Sequence, residues 1–222
     1  MYMTAIIDPP WPYTPRPSHY TKDGKQGDRN RLSGFIGLEG SEKYPTLDIA
    51  ALGELPVAAW VDGYVLCWTT GPFCHDAHHL MEQWGFPTRT MITWVKTNPD
   101  GTTKRGGVGH WYLGVTEYVL IGKKAGMPSR RTKQPGLFTT TTGRHSGKPP
   151  WLHEHVERFY PSPWLELFAR RPRDGWLCMG NELDGFDIRE SLTQDPQQSP
   201  VWTTPIKRPP LTPDSAQATL WS

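Results

Sequence analysis

The sequence predicts an α/β domain, one sheet with helices on both faces, and three observations point there. Short apolar runs rich in Val, Ile and aromatic residues alternate with helix-like stretches. Gly and Pro punctuate the boundaries between them. Polar residues suited to chemistry come just after strand-like runs, as Asp8 follows Ala5-Ile6-Ile7 and Arg170 comes after the run 165–168. In open α/β sheets ligands bind beyond the carboxyl ends of the strands, which is where such residues would lie.

Taken in order, residues 5–7 read as a strand and 12–44 as a long polar connection. Residues 47–55 suit a short helix and 64–68 a second strand. A helical stretch at 74–84 is ended by Gly85 and Pro87. Strands are expected at 89–95 and 117–121, a helix at 150–159, then strands at 164–168 and 176–179. The domain is placed at 1–190. Residues 191–222, rich in Pro, Gln, Ser and Thr, read as a mobile tail or an extended arm.

Composition narrows the class. With 222 residues the chain suits one domain with a full core. Its 22 Gly and 23 Pro favour long irregular loops over a helical bundle. No apolar stretch approaches the roughly 20 residues of a membrane span, and no signal-peptide pattern opens the chain. Cys67, Cys74 and Cys178 are too scattered for a disulfide framework or a four-cysteine zinc site. Cys74-His75, His78 and His79 fall on the expected helix without a matching cluster elsewhere, so no metal site is assigned. These features suggest a reduced, cytoplasmic protein.

Charge is unevenly spread. The net charge is +2, yet Lys123, Lys124, Arg130, Arg131, Lys133, Arg144 and Lys148 fall in one stretch that no acidic residue interrupts. Such a segment is either a solvated loop or a contact for a phosphate backbone.

The most informative four residues are Asp8-Pro9-Pro10-Trp11. The exocyclic amine of a nucleobase is a poor nucleophile because its lone pair is delocalised into the ring. Two oriented acceptors, the Asp8 carboxylate and the Pro9 carbonyl, would take its hydrogens and let the lone pair localise. The prolines fix φ and hold that carbonyl. Trp11 offers a plate on which a flipped base could stack. The plainer reading is a strand that ends in a proline turn, with Trp11 in the core.

Further blocks follow in order: Thr93-Trp94-Val95-Lys96-Thr97-Asn98; Gly109-His110-Trp111 with Glu117; Arg144-His145-Ser146 and Lys148-Pro149; Glu166-Leu167-Phe168-Ala169-Arg170; and Gly175-Trp176 with Gly180-Asn181-Glu182. Together with the first tetrapeptide the set resembles the MT-A70 family of adenine N6-methyltransferases, over about residues 6–185.

The resemblance implies a Rossmann-like methyltransferase domain that uses S-adenosyl-L-methionine as cofactor, with a catalytic block that precedes the cofactor-binding block. It implies catalytic roles for Asp8, Pro9, Pro10 and Trp11, and places Tyr44 and Glu117 beside the target base. Lys148, Phe168, Arg170, Asn181 and Glu182, with Asp8 near the sulfonium, would hold the cofactor. Arg130, Arg131 and Lys133 are the expected backbone contacts of a nucleic acid. DNA is favoured because a compact member without added RNA-binding modules looks like the prokaryotic or phage branch. RNA methylation, or a non-catalytic nucleic-acid-binding subunit, are the alternatives. No membrane partner is expected, and the partners left open are a second copy of the chain or a related subunit.

Overall fold

The computed structural model describes residues 1–13, 46–104, 112–129, 132–141 and 147–193. Along the chain run β1 (Tyr2–Ile7), α1 (Ile49–Gly53), α2 (Val57–Trp60), β2 (Val61–Thr69), a single 3-10 turn (Gly71–Phe73), α3 (Cys74–Gln83) and β3 (Thr88–Thr97). They are followed by β4 (Thr116–Lys123), β5 (Leu137–Thr141), α4 (Trp151–Phe159), β6 (Trp164–Leu167), β7 (Trp176–Met179), α5 (Asn181–Asp184) and α6 (Ile188–Ser191).

Among the described residues the strands form one seven-stranded sheet in the order β5-β3-β4-β2-β1-β6-β7. β1 pairs in parallel with β2 and β6, β6 with β7, and β3 with β5. β4 runs antiparallel between β2 and β3. Six strands therefore end at one edge of the sheet, and β4 begins there. The chain leaves β1 toward β2 on one side and later returns to place β6 on the other, so strand order reverses at β1, where α/β sheets open a ligand crevice.

Local chemistry explains the element ends. The Asp48 carboxylate accepts the Ala51 N–H at 2.7 Å and caps α1. After α3 the chain turns through Gly85 at φ +87°, a conformation that costs glycine little, and the Phe86 N–H closes on the Met81 carbonyl. Pro149-Pro150 precede α4, Pro150 already at φ −64°.

Alternation along the strands builds two core layers. Ala5, Ile7, Val65, Cys67 and Leu120 face Leu52, Val57, Trp60, Leu80, Met81 and Trp84 from α1–α3 and the turns beside them. Ile6, Leu66, Trp68, Val119 and Trp176 face Leu152, Val156 and Tyr160, from α4 and its end. Among the described residues most tryptophans are buried in these layers, and several have their indole N–H groups satisfied, as burial requires. Trp60 donates to the Leu192 carbonyl at 3.1 Å, Trp84 to the Leu52 carbonyl at 2.9 Å and Trp94 to Thr140 Oγ1 at 2.9 Å. Among the described residues no helix is long and apolar enough to cross a membrane.

The expected α/β class, with helices on both faces of the sheet, is the one observed. Four features went unread. The basic stretch contains a strand, β5, which pairs with β3. Lys124 of the same stretch is neutralised by Asp62 at 2.7 Å, a partner 62 residues away in sequence. The short helices α2, α5 and α6 carry no extended periodicity to betray them. Ser191 and Leu192, read as the start of the tail, are buried, with Leu192 in the layer that holds Trp60.

Candidate active site

Period-two alternation decides which side chains meet at the shared strand edge. On β1, Thr4 and Ile6 face the α4 layer, and Asp8, two residues further, continues that face. On β2 the same face ends in Trp68, and on β3 it carries Trp94 and then Lys96. Glu117, at the start of β4, is the cross-strand partner of Trp94 and so lies diagonally beside Lys96. Residues from four strands converge because β4 is antiparallel: its first residues lie where the others' last residues lie.

These side chains form a chain of alternating charge. Lys148, on the segment leading into α4, sits with Nζ 3.0 Å from Asp8 Oδ1 and 3.1 Å from Glu117 Oε2. The other Glu117 oxygen, Oε1, is 2.5 Å from Lys96 Nζ. The two ammonium groups also lie over indoles, Lys148 at 5.4 Å from the Trp68 ring and Lys96 at 5.2 Å from Trp94.

Electrostatics differ between the two carboxylates. Burial pushes Asp8 above its ordinary value, and Lys148 only partly offsets that. Burial acts the same way on Glu117, but Lys148 and then Lys96 overcome it and hold its carboxyl below the usual range. Burial disfavours the charge on Lys148, yet Asp8 and Glu117 raise its pKa above an ordinary lysine's. The site therefore contains a firmly ionised Glu117, a firmly charged Lys148, and an Asp8 poised closer to protonation.

The tetrapeptide after β1 is rigid. The Asp8 N–H reaches the Leu167 carbonyl at 3.4 Å, and the Pro9 carbonyl accepts the Trp11 N–H at 2.9 Å in a γ-turn, which leaves it a second lone pair. Trp11 is not an open plate. It is 5% exposed, stacked on Phe73 with ring centres 5.2 Å apart, and its Nε1 donates to the Trp68 carbonyl at 3.3 Å. A large apolar ring gains more from burial against Phe73 than from solvent, so the plainer reading of Trp11 holds. The exposed aromatic of this turn is Tyr13, packed edge-on to Phe73, its hydroxyl 2.6 Å from Thr70 Oγ1.

A second group gathers at the ends of β6 and β7. Phe168 adopts φ +63°, a strained setting for a bulky residue that costs on the order of 1 kcal/mol. Gly180 is required by close approach: a Cβ there would lie 2.3 Å from the Ala169 carbonyl oxygen. That contact draws the two strand ends together, so exposed Arg170 meets Glu182, Nε to Oε1 at 3.3 Å, with Asn181 alongside.

Of the residues singled out in sequence, the structure brings Asp8, Glu117 and Lys148 into direct contact, and Arg170 and Glu182 into a second pair. Arg170 acts on Asp8 electrostatically. Lys133 is exposed at φ +56°, in the segment before β5. Tyr44, Arg130 and Arg131, with the blocks Gly109-His110-Trp111 and Arg144-His145-Ser146, lie outside the described residues. Lys96 was quoted within a block but given no role. The signal was available, since two-residue spacing puts it on the face of Trp94.

The MT-A70 family model matches residues 2–182. The chain is 31% identical to the Type II methyltransferase M.MunI of a Mycoplasma species, over 82% of this chain and 78% of that protein. It is 33% identical to the N(6)-adenosine-methyltransferase MT-A70-like protein of Arabidopsis thaliana, over 57% of this chain and 19% of that protein. It is 29% identical to the human N(6)-adenosine-methyltransferase catalytic subunit METTL3, again over 57% of this chain and 23% of the relative. With a sheet of the expected class and a family match along most of its length, the chain belongs to the MT-A70 family of adenine N6-methyltransferases.

Proposed function

We propose that this chain methylates N6 of adenine in DNA, drawing the methyl group from S-adenosylmethionine. The observation that carries the reading is Asp8: a carboxylate on a proline-rigidified turn at the end of a central parallel strand, ion-paired to Lys148 and raised toward protonation by burial.

The donor chemistry fits the cofactor. Asn181 and Glu182 are exposed at the end of β7, where a carboxylate and an amide suit vicinal ribose hydroxyls. Lys148 and Arg170 supply positive charge for a methionine carboxylate. When bound, S-adenosylmethionine supplies an electrophilic methyl group and leaves as a neutral thioether. Asp8 and the free lone pair of the Pro9 carbonyl accept the two hydrogens of the adenine amine, so its lone pair can form the new N–C bond. Asp8, nearer protonation than Glu117, then takes the amine proton and releases it to solvent. Glu117 stays ionised and anchors Lys148. Tyr44 beside the base, and Arg130, Arg131 and Lys133 along the phosphate backbone, complete the substrate contacts we assign.

DNA is favoured over RNA because the likeness to the compact type II methyltransferase spans most of both chains. The likeness to the plant and human adenosine methyltransferases spans about a fifth of theirs. The test is incubation of the purified protein with methyl-labelled cofactor and matched DNA or RNA, followed by mass spectrometry of the digested nucleosides. Labelled N6-methyldeoxyadenosine is expected. Label in RNA alone would move the assignment to RNA, and label in neither would overturn it.

The cofactor assignment carries its own prediction. Asn181→Ala and Glu182→Ala should each weaken S-adenosylmethionine binding by about 1–3 kcal/mol, the loss of one or two hydrogen bonds to the ribose. Unchanged calorimetric affinity in both variants would remove these residues from the site.

A further inference from the structure

We infer that Lys96 is a positioning residue of the methyl-transfer site, holding one oxygen of Glu117 so that Lys148 remains shared with Asp8. The inference rests on the methyltransferase reading above.

The geometry is that of a built contact. Lys96 Nζ lies 2.5 Å from Glu117 Oε1, and the two side chains are only 23% and 13% exposed. The Lys96 backbone is pinned on both sides, its N–H donating to the Val115 carbonyl at 2.9 Å and its carbonyl accepting from Lys104 at 2.9 Å. Its ammonium rests over Trp94, an indole fixed in turn by Thr140 and stacked on Phe138. Strand, ring and hydrogen bonds all fix where this charge lies, which separates it from a solvated surface lysine.

Charge balance supplies the function. Two carboxylates and two ammonium groups alternate as Asp8, Lys148, Glu117 and Lys96, and Lys148 stands almost midway between its neighbours. Without Lys96, one cation would face two carboxylates. Lys148 would then be drawn to Glu117, and Asp8, already raised by burial, would lose part of what keeps it ionised. Among the described residues the groups acting on the pair come from every side. Lys96 on β3, Lys148 before α4 and Asp8 after β1 face Glu117, Tyr13 lies within its electrostatic reach, and Arg170 after β6 acts on Asp8.

The test compares the rate of methyl transfer against pH for the wild type, Lys96→Met and Lys96→Arg. In the Met variant the acid limb should move up by about one pH unit, the scale of losing a neighbouring opposite charge. On the acid side of the wild-type limb the turnover rate should then fall by roughly tenfold, with the KM for DNA within about threefold of wild type. The Arg variant should restore the wild-type limb. An unmoved limb in the Met variant, or an Arg variant that behaves like Met, overturns the proposal. Lys96→Gln replaces the Met variant if that one does not fold. A second readout does not depend on activity: the carboxyl carbon resonance of Glu117, followed by NMR against pH, should titrate at higher pH in the Met or Gln variant. That separates the two readings. Wild-type protein inactive on every adenine substrate would sink the methyltransferase assignment, while an unchanged Glu117 titration would sink the role of Lys96.

Discussion

Asp8→Asn is expected to lower the methyl-transfer rate by at least about a hundredfold, the scale seen when a well-placed electrostatic group is removed. The substitution keeps size and shape but turns one acceptor oxygen into an N–H donor aimed at an amine that also donates. The neighbouring Lys148 would face a neutral amide, with only Glu117 left as its counter-ion. Folding should scarcely suffer. Because burial raises the Asp8 pKa, ionised Asp8 costs stability above that folded pKa, and the cost vanishes below the unfolded value of about 3.9. A neutral Asn removes the cost. The wild-type rate should fall with acid at a higher pH than an ordinary carboxylate would give, and the residual Asn activity should lack that limb. Turnover of Asp8→Asn within tenfold of wild type at neutral pH, on correctly folded protein, would remove Asp8 from the chemistry.

How much of this was legible beforehand differs residue by residue. Asp8 was readable because a carboxylate after three apolar residues and before two prolines has few purely structural uses, and the strand-end rule placed it correctly. The strands read true because half-buried and buried runs keep their composition, although β1, β2 and β3 each extend beyond the runs first marked. β5 was hidden by its surroundings. Leu137-Phe138 and four threonines suit a strand, but the basic residues on either side dominated the reading.

Trp11 shows the converse error. An aromatic beside a catalytic motif suggested stacking on a base, whereas the nearby Phe73 offered a dry partner that sequence alone does not reveal. The long-range ion pairs were out of reach in the same way. Lys148 meets a carboxylate 140 residues before it and another 31 before it, and Lys124 pairs with Asp62. No local pattern encodes such pairs. They follow only once strand order is known, and above all once β4 is found antiparallel, which brings Glu117 to the edge where Asp8 and Lys96 end.

Lys148→Met should be the most damaging single change to both stability and activity. It leaves Asp8 without its near cation, while Glu117 keeps Lys96. An orphaned, partly buried carboxylate is worth a loss of about 2–3 kcal/mol at neutral pH, somewhat under the full penalty of a wholly buried pair because solvent reaches both side chains. The pH dependence has a definite sign. The folded pKa of Lys148 is raised, so its contribution is fully present below the unfolded value of about 10.4 and is lost only as pH rises through the folded one. Between pH 5 and 9 the lysine is therefore constant, and the deficit of the Met variant follows Asp8. It should shrink as pH falls and Asp8 protonates. Chemical denaturation at pH 8 and pH 5 measures this directly. The double variant Asp8→Asn with Lys148→Met closes the cycle: if the orphan carboxylate causes the loss, removing it should recover most of the stability although activity stays lost. A double variant no more stable than Lys148→Met alone would mean that the ammonium's contacts with Glu117 and the Trp68 ring, rather than relief of the orphaned Asp8, hold this corner together.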